Sequence, residues 1–155
     1  MTSRKLTYEY IRGLIDGKGS FTFTTSKRKN KIVKIPAFQI RMNIRDKKLL
    51  EDLRDYLELK NRIYTYYYPG KDGCKRDPLA MLIVREIGRL RNIIIPLFYN
   101  KLVGYKAIQF IEWLEKIGND VNVPSSYKFL YILHKNGHYL KRNKFNQDSQ
   151  KDIFG

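Results

Sequence analysis

Nine side chains able to read base edges sit at alternate positions of this sequence: Thr22, Thr24 and Ser26, then Gln39, Arg41 and Asn43, then Arg62, Tyr64 and Tyr66. Gln and Asn pair bidentately with adenine and Arg with guanine, hydroxyls suit either partner, and a two-stranded ribbon fits the major groove. Lys27, Arg28, Lys29, Lys31 and Lys34 in one stretch, and Lys71, Lys75 and Arg76 in another, offer phosphate contacts that set affinity rather than sequence choice. Metal and nucleophilic chemistry have thinner support. His134 and His138 stand four apart with no third ligand nearby and read as surface or interface residues. Glu9, Asp46 and Glu86 are isolated carboxylates, and the single Cys74 excludes an intramolecular disulfide and a cysteine-based zinc site.

Alternation at every second residue is the period of a half-buried strand, so these residues imply two hairpins. The first pairs a strand at 20–26, with Phe21 and Phe23 on its other face, to one at 37–44 across the basic turn Lys27 to Lys31. The second pairs 62–68 with 79–84 across PGKDGCKRDP, with Tyr66 toward nucleic acid and Tyr67 packing inward. Helical spacing of apolar residues predicts a helix at 7–17, capped by Thr7 and ended by Gly17 to Gly19, and another at 46–57. Residues 86–117 read as mostly helical with a break near Pro96 and Asn100, and Trp113 with Phe110, Ile111 and Leu114 as packing residues. A linker at 118–126, a last amphipathic helix that starts over 127–133 with His134 and His138 on it or at its end, and a polar, partly ordered tail from Lys141 complete the chain. The order is helix, hairpin, helix, hairpin, helices, an α+β fold with helices against one face of an antiparallel sheet.

With 155 residues, 43% of them hydrophobic, the chain is long enough for one real core. Thirty-one Lys and Arg against 15 Asp and Glu leave +16 at pH 7, a surplus that suits a polyanionic partner. No apolar run approaches the ~20 residues that span a bilayer, and the opening MTSRKLTYEY lacks a signal-peptide core, so a soluble protein in a reducing compartment, with no membrane partner, is expected. Seventeen Ile, 19 Lys and 10 Asn against three Ala suggest AT-rich coding, as in organelles, phages and low-GC bacteria.

Gly13 and Gly17 lie four apart on the first helix, and each mid-helix glycine costs ~1 kcal/mol relative to alanine. Close approach of another backbone would offset that, and a second copy of the same helix supplies one in a two-fold dimer. The segment Ile11-Arg12-Gly13-Leu14-Ile15-Asp16-Gly17-Lys18-Gly19-Ser20-Phe21 resembles the LAGLIDADG motif of homing endonucleases and their maturase relatives. The resemblance extends through Phe38 to Lys47 into the second helix, and Ile95 to Lys101 is similar to the family's proline-leucine-to-lysine stretch.

The resemblance implies an αββαββα unit with a saddle-shaped sheet over residues 1–120, and a C-terminal helix and basic tail over 121–155. With one motif copy it implies a homodimer meeting through Ile11, Gly13, Leu14 and Gly17, on a long pseudo-palindromic double-stranded DNA site. It also implies site-specific, Mg2+-dependent cleavage, with the Gly17 carbonyl near the metal and Lys101 as the family's supporting lysine. Met42 falls where compact members carry a polar residue. Lys18 occupies the position of the motif acid; a lysine does not ligate magnesium at neutral pH, and Asp16 lies ~200° away around the helix. Three origins of Lys18 stand open: lost cleavage with retained DNA or RNA binding, an unusual or acid-bearing partner arrangement, and a substitution made to trap a complex. The alternative function is therefore a cleavage-deficient intron RNA maturase or DNA-binding regulator, with structured intron RNA as a further partner; a basic ribonucleoprotein component would explain the charge but not the motif. The implied location is a mitochondrion or chloroplast, or a bacterial or phage-infected cytoplasm.

Overall fold

Thr7 opens α1 (Tyr8–Lys18), its hydroxyl accepting the Tyr10 amide at 3.0 Å, as the sequence predicts. The computed structural model describes residues 5–67 and 76–147; Tyr68, Lys71, Cys74 and Lys75 lie outside the described residues. α1 passes into β1 (Gly19–Arg28) without a loop. Gly19 makes that possible, because a Cβ there would sit 2.5 Å from the Ile15 side chain.

β1 returns through Lys29 (φ 48°) and Asn30 (φ 66°) into β2 (Lys31–Asn43), a two-residue turn with both central residues left-handed. Such a turn lets pairing resume at once, Arg28 opposite Lys31, so β2 begins six residues before the expected position 37. Pro36 is tolerated because β4 (Leu79–Val84) joins β2 only from Phe38 onward. The unpaired side of β2 is met instead by residues 120–122: the Lys34 amide donates to the Asn122 carbonyl at 3.0 Å and its ammonium bridges Asp120 at 3.0 Å. α2 (Lys47–Tyr56) follows a 3₁₀ turn.

β3 is shorter than expected, Tyr64–Tyr66, and pairs antiparallel with β4 to give the order β1-β2-β4-β3. Tyr67 lies past its end and is 61% exposed, so it does not pack inward. After β4, α3 (Ile87–Arg89), a π-turn at Leu90–Ile94 and α4 (Ile95–Phe98) form one continuous helical stretch. Pro96 therefore does not break the helix. It sits in the first turn of α4, where the preceding wide turn accommodates its missing N–H. The break comes at 99–104, through left-handed Asn100 (φ 60°).

α5 (Tyr105–Asn119), α6 (Lys128–Lys135) and α7 (His138–Lys141) complete the fold, the expected last helix being divided in two at left-handed Gly137 (φ 72°). One sheet face carries Phe21, Phe38, Ile40 and Leu82 into the core, where Phe21 meets Phe98, Phe110 and Trp113 at centroid distances of 4.9–5.8 Å. Trp113 is core as expected, its indole N–H donating to the Thr22 carbonyl at 2.8 Å, while Gln109 accepts the Phe21 amide. α5 thus occupies backbone groups of an edge strand. The tail from Lys141 is more than a polar extension: Phe145 is buried, edge-on to Tyr8 at 5.1 Å. No described helix is long and apolar enough to cross a membrane.

Candidate nucleic-acid interface

Strand register places the candidate readers together. Gln39 lies opposite Ser20 and Ile83, Arg41 opposite Met81, Asn43 opposite Leu79, and Tyr64 and Tyr66 opposite Met81 and Leu79. Thr22, Thr24 and Ser26 share that face, opposite Ala37, Ile35 and Val33. All eight therefore lie on the side away from the aromatic core. Arg62 precedes β3 and is not a strand residue; its guanidinium rests 5.5 Å from the Tyr64 ring centroid. Half-buried Val33, Ile35, Leu79 and Met81 separate the polar tracks, and apolar side chains of this kind can meet thymine methyl groups. Sequence reasoning missed them because an apolar residue on a solvent face carries no local signal.

Arg28, Lys29 and Lys31 are exposed at the hairpin tip, Lys27 beside them, and Arg76 is exposed before β4. Lys34 is engaged with Asp120, whose carboxyl is held below the usual carboxylate range by the Asn122 amide and then by Lys34. Asn43 is similarly committed: its side chain accepts the Arg45 amide at 2.9 Å and donates to Asp77 at 3.2 Å.

The exposed face of α1 holds Gly13 and Gly17, with nothing within 4 Å of a Cβ built on either, and Tyr10 at 49% exposure. Ile11 does not belong to it. It is fully buried in its own core, and Leu14 is half-buried against that core.

Asp16 accepts the Val103 amide at 3.0 and 3.2 Å and the Gly104 amide at 3.0 Å, directly ahead of α5. Its charge is thus used at a helix N-terminus. Lys101, half-buried, lines an open cavity of ≈330 Å³ with Glu9, Gly13 and Asp16. Beneath it Arg12 is buried, donating to the Leu97 carbonyl at 2.9 Å and the Phe145 carbonyl at 3.2 Å. Lys18, exposed as the last residue of α1, places a cation where the helix dipole is negative.

These residues do not fit a divalent cation. No group of three metal-ligating side chains occurs among the described residues, Asp16 is spent on amides, Lys18 repels a cation, and the Gly17 carbonyl alone is insufficient. Glu86 bonds Asn61 and Arg89; burial raises its pKa, but the Arg85 amide and these partners outweigh it and leave the carboxyl low. His134 is packed rather than ligating, with Tyr99 at 2.7 Å and Glu115 at 3.3 Å on its two ring nitrogens.

The model of the LAGLIDADG endonuclease family matches residues 11–117. A probable intron-encoded DNA endonuclease 1 of Mycosarcoma maydis is 38% identical over 56 residues, 36% of this chain and 20% of that protein. The LAGLIDADG homing endonuclease I-GzeII, solved with a DNA target, superposes at TM-score 0.60 with 24% identity, over 97% of this chain and 49% of that one. The homing endonuclease I-TnaI superposes at TM-score 0.61 with 18% identity, over 88% of this chain and 79% of that one. The chain thus spans a fifth of the Mycosarcoma relative and about half of I-GzeII.

Proposed function

Because the chain belongs to the LAGLIDADG endonuclease family, we propose that it binds a long double-stranded DNA site sequence-specifically through the open face of its sheet, in the manner of a homing endonuclease. The observation that carries this reading is the sorting of the sheet: one face is aromatic core, and the other gathers Thr22, Thr24, Gln39, Arg41 and Tyr64 in a chain of charge +16. The ten residues of β1 rise about 33 Å, the length of roughly ten base-pair steps. Two copies meeting through the exposed Gly13, Gly17 and Tyr10 face would read two half-sites. Residues 1–120 supply the DNA-binding unit, and 121–155 buttress it through Leu130 and Tyr139. An organelle intron or another mobile element is the coding context that the intron-encoded relative supports.

Members of this family cleave DNA, generally with a divalent metal. In this chain Lys18 favours a second reading for catalysis: duplex binding in which the ammonium stands against backbone phosphate and cleavage is lost, the arrangement of a maturase-like or regulatory descendant. Incubating the protein and Lys18→Asp with a randomised duplex library, with and without magnesium, and sequencing bound and cut molecules tests both. A shared long site that only Lys18→Asp cuts supports the binding reading with disabled cleavage. Cutting by the unaltered chain refutes the second reading, and no enriched site with either protein refutes the first.

A further inference from the structure

A polar concavity of ≈340 Å³ opens beside β3, lined by the cations Lys60, Arg62, Arg85 and Arg89 and by Asn61 and Glu86. Its one carboxylate is committed, Glu86 taking Arg89, the Asn61 amide at 2.8 Å and the Arg85 backbone amide at 3.0 Å. Lys60, Arg62 and Arg85 are exposed and have no carboxylate partner among the described residues. The loop that carries them is pinned. Leu57, Leu59 and Ile63 are buried, so the intervening Lys60 and Arg62 must project outward, and Asn61 ties the loop to the end of β4 through the Ile83 carbonyl at 2.9 Å. Glu58 (φ 56°) and Lys60 (φ 61°) hold left-handed backbone to make this turn, a conformation that costs non-glycine residues and is kept where neighbours fix it.

The pocket also borders the DNA-facing side of the sheet, because Ile83, in register with Gln39, and Tyr64, in register with Met81, both line it. We propose that this pocket is a seat for a phosphate oxyanion, filled by a backbone phosphate of the nucleic acid lying on the sheet. The proposal rests on the duplex-binding reading and adds a fixed anchor outside the strand residues. Guanidinium groups grip phosphate oxygens bidentately, and a loop backbone already fixed by the fold loses little freedom on binding. The anchor adds affinity and register without reading a base.

The test is a fluorescence anisotropy titration of a random-sequence 30-base-pair duplex at several salt concentrations, comparing the unaltered chain with the double variant Lys60→Asn, Arg85→Gln. Asparagine tolerates the left-handed backbone at position 60. The expected result is a log–log salt slope shallower by about 0.9, since one phosphate fewer is neutralised, with unchanged base preference in a library selection. Lys60→Arg with Arg85→Lys keeps the full slope. An unchanged slope in the double variant overturns the seat while leaving duplex binding intact. No duplex binding by the unaltered chain removes the underlying reading instead. Saturation by millimolar inorganic phosphate at Lys60 and Arg85, seen by NMR without any effect of the variant on duplex binding, assigns the pocket to free phosphate and overturns the backbone assignment. Arg85→Gln alone, on an exposed side chain, gives the same readout if the double variant fails to fold.

Discussion

Replacing Asp16 by alanine removes the acceptor that holds the start of α5. Hydrogen bonds of 3.0–3.2 Å join its carboxylate to the amides of Val103 and Gly104, which lack helical partners by position. Hydrogen bonds to a charged acceptor contribute about 1.5–3 kcal/mol, and removing a helix cap typically costs ~1 kcal/mol within that sum. Partial water access to the half-exposed site keeps the expected loss toward the lower half, about 1.5–2 kcal/mol. At roughly 2–4 °C per kcal/mol for a chain of this size, Tm falls by about 3–8 °C. Asp16→Asn retains one acceptor oxygen and should lose about half as much. Thermal unfolding gives the total, and amide hydrogen exchange locates it: Val103 and Gly104 should accelerate more than amides in the middle of α5. Unchanged exchange at those two amides, or a Tm within ~1 °C of the unaltered chain, would refute the capping role.

Lys18→Asp exchanges a favourable for an unfavourable charge at the end of α1, so it should lower stability by about 0.6–2 kcal/mol at low ionic strength, with the loss shrinking in 0.5 M salt; urea titrations at both salts measure it. Arg41→Ala should relax the choice at one base pair by about 1–3 kcal/mol, whereas Lys29→Ala should weaken all sequences alike and flatten the salt slope; selections on both variants separate the two behaviours. Because the Asp120 carboxyl is depressed in the folded chain, its contribution is present above the ordinary carboxylate range and is lost as pH falls through the folded value, so the joint between β2 and residues 120–122 should loosen in acid below about pH 4. NMR titration of Asp120 and Lys34 amide exchange check this, and Asp120→Asn should abolish the pH effect.

What could be read from the sequence was whatever repeats locally. Thr22, Thr24 and Ser26 alternate with Phe21 and Phe23, and 79–84 is a run of strand formers between turn residues, so both strands were legible, but only the first showed its faces. The first half of β2 was not, since Lys31, Lys34 and Pro36 interrupt the apolar alternation and only the pairing with β1 reveals the strand. Glycine spacing pointed to an open helix face, but the spacing alone did not show that Ile11 turns inward. Asp16 meets amides 87 and 88 residues away, and Lys60 and Arg85 come to line one concavity from either end of a segment holding two strands. Such pairings exist only once the core has formed. Phe145, one aromatic in a polar tail, gave no periodic signal, yet it packs on Tyr8 and accepts from Arg12.

The loopless passage from Lys18 to Gly19 makes α1 and β1 a single lever. If two copies pivot on their α1 helices, any change in crossing angle swings each β1 by the same amount, because no joint lies between them to absorb it. The helical phase of two DNA half-sites would then be set at the glycine face of α1, far from any base. One residue inserted between Lys18 and Ser20 would turn Thr22 and Thr24 toward the core and Phe21 toward solvent, exchanging the two faces of the strand. In such a dimer, target spacing and target letters would be governed by separate parts of the chain, and the first would drift only by repacking one helix against its copy.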